Sequence, residues 1–373
     1  MARSDRGAGP SFSERSSLYV VIRWVQYVAA FLLLGGFVFC ALVIDRVRAS
    51  STGARDYLFA ARTRAMGVAR AAALVLVIAE GARLLAQRAT LRDATDAAFD
   101  VSVADMVLGT YWGTGWLLVL AGALLALTAI VRAERAAHAQ RGAGEAALPA
   151  DLAQAHPSGE AELEQALADV GVETLEPPNR NVSPAPDRAT PRALNVTWFV
   201  SCAVIIAVGL ALSGHQAASP IGLAGVAVDA IHVLATAGWI GTLGALVLAG
   251  LLGRHLVPAP HDGVAALLRT FSPVVLVSAA IGGGAGLVLA YVNVGSFAAL
   301  WSGTYGRVLV LKLAVLSLVA ATGAYNWRRV VPVLGTEGAT RALRRSASAE
   351  AVIAVVVIAI TSVLVAMPPA QMP

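Results

Sequence analysis

The chain has little charge, almost no lysine and only two cysteines, and each scarcity excludes something. Charged residues make up 14% of its 373 residues, against about 25% in a soluble domain, so a water-soluble globular fold is excluded. Hydrophobic residues make up 57%. The basic residues are arginines apart from Lys312, and most flank apolar runs. The net charge of +5 is therefore an orientation signal of a membrane protein and not a nucleic-acid-binding face. Cys40 and Cys202 both sit inside apolar runs, which excludes a disulfide framework. No Gly-rich loop follows a strand, and there is no Walker sequence and no His-Glu-x-x-His. Nucleotide-driven and zincin-type chemistry are thereby set aside.

What is present is a series of apolar runs of about 20 residues, the length of helix that crosses about 30 Å of hydrocarbon. Eight spans are predicted, at 19–44, 66–87, 103–131, 195–213, 226–252, 271–292, 305–327 and 350–367. The first is too long for a signal peptide and reads as a retained helix. Loop 4–5, Gly214 to Val228, has no Arg or Lys, whereas loops 1–2 and 7–8 are Arg-rich. Excess Arg and Lys marks the inner side, so loop 4–5 and both termini are expected outside.

The chain repeats itself. Gln26 to Gly35-Gly36 has the spacing of His232 to Gly241, Arg62-Thr63 matches Arg269-Thr270, and Gly109-Thr110-Tyr111 matches Gly303-Thr304-Tyr305. Four spans per half give both halves one orientation, so an axis along the membrane normal should relate them. The expected fold is an all-α membrane protein of eight transmembrane helices in two parallel-orientation four-helix repeats. The domains follow as an external tail at 1–18, first-repeat helices 1–3 at 19–132, a linker at 133–194, first-repeat helix 4 at 195–213 and the second repeat at 214–373. The linker is acidic and Pro-rich, and is expected to be cytoplasmic and partly disordered. One short amphipathic helix is expected there around Leu163, Ala166, Leu167 and Val170.

Ionisable groups inside hydrocarbon are functional candidates by default. Gly214-His215 ends the fourth run, and Asp229 and His232 open the fifth. Either His alone is equally well explained as an interfacial polar residue at a helix end. Together they place two imidazoles and a carboxylate around one uncharged loop, and imidazole is the commonest protein ligand for transition metals. Asp229 would ligate or orient His232. Met367, ending the last span on the same side, could add a thioether, and thioether with imidazole suits copper, especially Cu(I). Asp229, His232, Thr236 and Trp239 recur at spacings of three and four and share one stripe of the fifth helix. Thr236 is placed to bond His232. Asn293, Tyr305 and Lys312 are further candidates to line a route inward, with Asp229 the acidic candidate to balance Lys312. Glu80 and Arg83, spaced i, i+3, read as a structural pair, and Phe271-Ser272-Pro273 as a helix start with Pro in its first turn.

These motifs resemble the copper resistance protein D family of prokaryotic inner-membrane proteins. The resemblance rests on Gly214-His215, Asp229-x-x-His232 with Trp239-Ile-Gly241, Phe271-Ser272, Thr304-Tyr305-Gly306-Arg307 with Lys312, and Glu350 before a last span ending at Pro368-Pro369. It covers the second half closely and the first loosely. It implies eight spans, outward-facing copper handling and copper import across the plasma membrane. The chain would act as a carrier and not as an enzyme, with the lipid bilayer as its solvent, no nucleic acid, and a periplasmic or extracellular copper-binding protein as donor. Two alternatives stay open. One is a membrane redox protein holding haem b between paired His; the other is a non-catalytic membrane partner.

Overall fold

A computed structural model describes residues 14–48, 51–94, 102–146, 196–219, 221–252, 261–330 and 337–367. The tail at 1–13 and the expected amphipathic helix of the linker lie outside the described residues. All the regular structure described is helical. In chain order the long helices are α1 (Glu14–Val38), α2 (Thr52–Ala94), α3 (Tyr111–Ala146), α4 (Val196–Leu212), α5 (Gly222–Leu251), α6 (His261–Val294), α7 (Thr304–Tyr325) and α8 (Glu337–Ala366). Among the described residues seven helices are long and apolar enough to cross a membrane. The remaining long helix, α4, is a 17-residue apolar helix. Residues Thr128–Asn195 form a second compact unit, of which the helical stretch to Ala146 is described.

Side-chain contacts establish an up-and-down order. Gln26, midway along α1, meets Glu80, in the second half of α2, while Asp45 just after α1 pairs with Arg62, early in α2. His232, early in α5, meets Gly282, late in α6. Asn326, just after α7, meets Glu350 in α8, and Val294, Leu309 and Leu364 cluster where α6 ends, α7 begins and α8 ends. One end of the bundle therefore collects Arg23, Glu80, Ser213, Asp229, Asn293 and Tyr305. The other collects Asp45, Arg62, Gly250 and Glu350.

The centre belongs to α1 and α5. Of the residues in their apolar stretches 72% are buried, against 11% for α6 and α7. Lipid tails are as apolar as Leu, so helices in a bilayer associate through close packing at small residues. Here Gly35 and Gly241 lie backbone to backbone. A Cβ on Gly35 would collide with the Gly241 carbonyl carbon, and one on Gly241 with the Phe31 carbonyl oxygen. Gly115 and Gly209 do the same for α3 and α4. Two π-helical turns, Ala237–Gly241 and Leu246–Leu251, interrupt α5. Near the second, the Tyr57 hydroxyl donates to the Gly250 carbonyl at 3.0 Å and Arg64 Nε to that of Ala249 at 2.7 Å.

Three expectations are corrected. The third apolar run is not one helix. A one-and-a-half-turn helix, Val103–Leu108, precedes α3. Ser102 Oγ caps it by accepting from Ala104 N, and Thr110 Oγ1 caps α3 by accepting from Gly113 N at 2.9 Å. Two caps eight residues apart start two helices. Pro273 is not in a first turn but well inside α6. Ser272 Oγ donates back to Leu268 O at 2.9 Å beside it, and a bilayer helix tolerates an internal Pro where neighbouring helices and Ser/Thr side chains compensate. Finally α2, α6 and α8 begin about a dozen residues before the predicted starts, because hydropathy marks only the hydrocarbon-crossing part of a helix.

Candidate functional site

His232 and Thr236 face α6 across two glycines spaced by four. A Cβ at Gly286 would come within 3.0 Å of His232 Cε1, and one at Gly282 within 3.6 Å of Thr236 Oγ1. Glycine at both positions lets the imidazole lie against the α6 backbone, where its Nδ1 is 2.8 Å from the Gly282 carbonyl. A carbonyl only accepts, so Nδ1 carries the proton and the Nε2 lone pair is left for another partner. A His that ligates a metal typically has this second bond. The expected Thr236 partner is thus replaced by Gly282. The Gly282-Gly283-Gly284 run contains one glycine that serves the site, while Gly283 and Gly284 face open space.

Asp229 points to the turn between α4 and α5. Its Oδ2 lies 3.8 Å from where a Cβ on Gly214 would sit. His215 heads the 3-10 turn His215–Ala218 that follows Gly214; its side chain lies outside the described residues. Lys312, from α7, and Arg23, from α1, are the cations that act on Asp229 electrostatically, and Asp229 is the carboxylate that acts on Lys312. Tyr305 lies beside Asn293. Asn293 Oδ1 accepts from Gln216 Nε2 at 3.1 Å, while buried Gln216 Oε1 has no hydrogen-bond partner among the described residues. Sequence reasoning missed Gln216, although it is the polar residue next to His215 in the charge-free loop. Trp239 is partly buried inside the first π-helical turn of α5. That turn breaks the spacing that put it on the His232 stripe. Met367 closes α8 with its amide on Leu364 O, at the Asn293 end of the bundle. Among the described residues no three His, Cys, Asp or Glu come close enough to hold a metal ion. Asp229 and His232 would need a ligand of another type, or His215, to complete a site.

The larger polar assembly lies in the first half. Arg23, Gln26, Glu80 and Arg83 are all 0% exposed. Arg23 donates to Gln26 Oε1 at 2.9 Å and to the Tyr27 hydroxyl at 2.6 Å, and Gln26 Nε2 donates to Glu80. Arg83 lies 3.5 Å from Glu80 Oε2, donates to the Ser213 carbonyl at 3.2 Å and stacks 5.0 Å over Trp112. Trp116 Nε1 donates to the Glu80 carbonyl at 2.8 Å. Arg23, inside the first predicted span, is a core residue. Its spacing to Gln26 and Tyr27, three and four residues on one helix face, was the available signal. The pairing read for Glu80 and Arg83 is one edge of a network that ties α1, α2 and α4 together.

Residues 13–155 match the family model of the copper resistance protein D-like N-terminal domain, and residues 265–364 that of copper resistance protein D. The buried Arg23–Arg83 network falls in the first stretch. Asn293, Tyr305, Lys312 and Glu350 fall in the second, and Asp229 and His232 lie between the two. No curated protein and no solved structure matches the chain. With the two models in chain order over more than half of its length, in a bundle of membrane-length helices, the protein belongs to the copper resistance protein D family.

Proposed function

We propose that the protein is a carrier that moves copper inward across the prokaryotic plasma membrane. The observation that carries this reading is the orientation of His232. Nδ1 is bound to the Gly282 carbonyl, Nε2 is free to take a metal, and Asp229 stands one helical turn away on the same helix. His215, one residue beyond Gly214, would supply the second imidazole, and Met367 a thioether. Copper is cargo here, received from a periplasmic or extracellular copper-binding protein. Lys312 and Arg23 hold the counter-charge for Asp229 while the site is empty. Thr236, Trp239, Asn293, Tyr305 and Lys312 would line the way inward.

In this reading the fold is two four-helix repeats of one orientation, with α4 as an eighth span and both termini outside. Three observations support it. The paired glycines Gly35 and Gly241 stand at equivalent places in the two repeats and touch each other. The two repeat-initial helices, α1 and α5, form the centre. Each turns π-helical about one turn after that glycine, at Phe39–Val43 and at Leu246–Leu251.

The deciding experiment is metal content, visible spectrum and copper accumulation for the wild type beside His232→Ala. The reading expects bound copper and accumulation in the wild type and neither in the variant. A haem absorbance band, or unchanged copper uptake by a His215→Ala/His232→Ala double variant, would sink it.

A further inference from the structure

At the end of the bundle opposite His232 lies an ionisable group that the copper route does not use. Glu350, in α8, is 7% exposed and Asn326, at the end of α7, is 8% exposed. Asn326 Nδ2 donates to Glu350 Oε2 at 3.3 Å, and Glu350 Oε1 sits where a Cβ on Gly323 would come within 3.3 Å of it. The other amide atom, Asn326 Oδ1, is buried with no hydrogen-bond partner among the described residues.

Among the described residues no cation is paired with this carboxyl. On the elements packed against it, Asp45 and Arg46 follow α1, Arg269 belongs to α6, Tyr325 ends α7, and Arg328 and Arg329 lie in the π-helical turn after it. Arg344 and Arg345 precede it on α8. Among the described residues none of these charges forms an ion pair with Glu350, whose hydrogen bond is to the Asn326 amide. Glu80, the other buried glutamate among the described residues, is flanked by Arg83 and Gln26, with Arg23 close by. A carboxylate in hydrocarbon needs such a cation or a proton. A protonated carboxyl gains one O–H donor, and Asn326 Oδ1 is an acceptor without a donor. The neutral acid therefore satisfies both groups at once, the amide N–H giving to one carboxyl oxygen and the carboxyl O–H giving to the amide oxygen. Gly323 leaves room for the carboxyl to turn. Asn326 opens a π-helical turn, Asn326–Val330, a feature frequent at functional sites.

We propose that Glu350 and Asn326 form a proton-binding site, loaded as a carboxylic acid–amide pair at the end of the bundle opposite His232. Binding adds a proton to one carboxyl oxygen and release returns it to water, with no other bond changed. The site rests on the copper reading only for what its proton accompanies: a carrier with no nucleotide site needs a coupled or downhill driving force.

Infrared difference spectra of the full-length protein in lipid test it directly, comparing wild type with Glu350→Gln. The expected result is the carbonyl stretch of a protonated carboxyl at neutral pH, absent in Glu350→Gln, retained in Glu350→Asp and displaced in Asn326→Thr. Absence of that stretch at neutral pH, or its persistence in Glu350→Gln, overturns the proposal. So does a stretch that responds to sodium and not to pH, which would assign an alkali cation. In vesicles with a trapped pH dye, copper addition should move protons with the wild type and at least about tenfold less with Glu350→Gln. An equal dye signal overturns it too. If the wild type moves no copper at all, the carrier reading fails, and the infrared result still decides this one.

Discussion

The two halves of the bundle place charge at the same end but treat it oppositely. In the first half, Arg23, Gln26, Glu80 and Arg83 are sealed from solvent and bonded to one another in one chain. In the second half Asp229, His232 and Lys312 are only partly buried. Their charges face one another without an ion pair among the described residues, and His232 keeps one ring nitrogen free. On the repeat spacing Arg23 stands where Asp229 stands, and Gln26 where His232 stands. The first half thus carries a guanidinium where the second half carries a carboxylate. On the proposed reading the first copy is a structural anchor and the second the working site, because a buried charge is held in place by the partners that surround it.

The comparison breaks most severely at Glu80. Glu80→Ala leaves Arg23 and Arg83 without their carboxylate in the core, and removing one partner of a buried pair costs about 3–5 kcal/mol. Thermal unfolding in detergent should show that loss, and a melting temperature equal to wild type would refute the anchor role. Next comes His232→Ala, paired with Gln26→Ala. Loss of a metal's outer-sphere partner costs about 10–100-fold in affinity, so loss of the ligand itself should exceed that in a copper titration. Gln26→Ala should leave copper affinity unchanged while lowering the melting temperature. Equal copper losses in both would erase the distinction between the halves.

Gly241→Ala should destabilise by about 1–3 kcal/mol, the usual cost of overpacking, since its methyl would enter the Phe31 carbonyl. Gly284→Ala, facing open space, is the control, and equal melting points for the two would contradict the central crossing. The smallest effect is expected from Asp229→Asn. It should weaken copper binding by about tenfold if Asp229 orients or balances His232, and as much as His232→Ala if it ligates the metal.

The membrane class, the helix count to within α4, and the polar end of the bundle were all legible in the sequence. Apolar length is a one-dimensional property, and a 3.6-residue period shows which residues share a face. His232 and Asp229 were legible for the same reason, as ionisable groups where hydrocarbon penalises them. The caps at Ser102 and Thr110 could also have been read, since an oxygen side chain before a helix is a local signal.

The rest depended on chain segments far apart. That Arg23 is a core residue follows from Glu80, nearly sixty positions on in another helix. That His232 bonds Gly282 follows from two glycines whose only sequence mark is a missing side chain. Hydrophobic length and period decided which segments enter the bilayer, because those energies depend on each segment alone. Tertiary structure decided which polar groups are satisfied and which are left open for a ligand, because a hydrogen bond or an ion pair exists only when two helices bring both partners together.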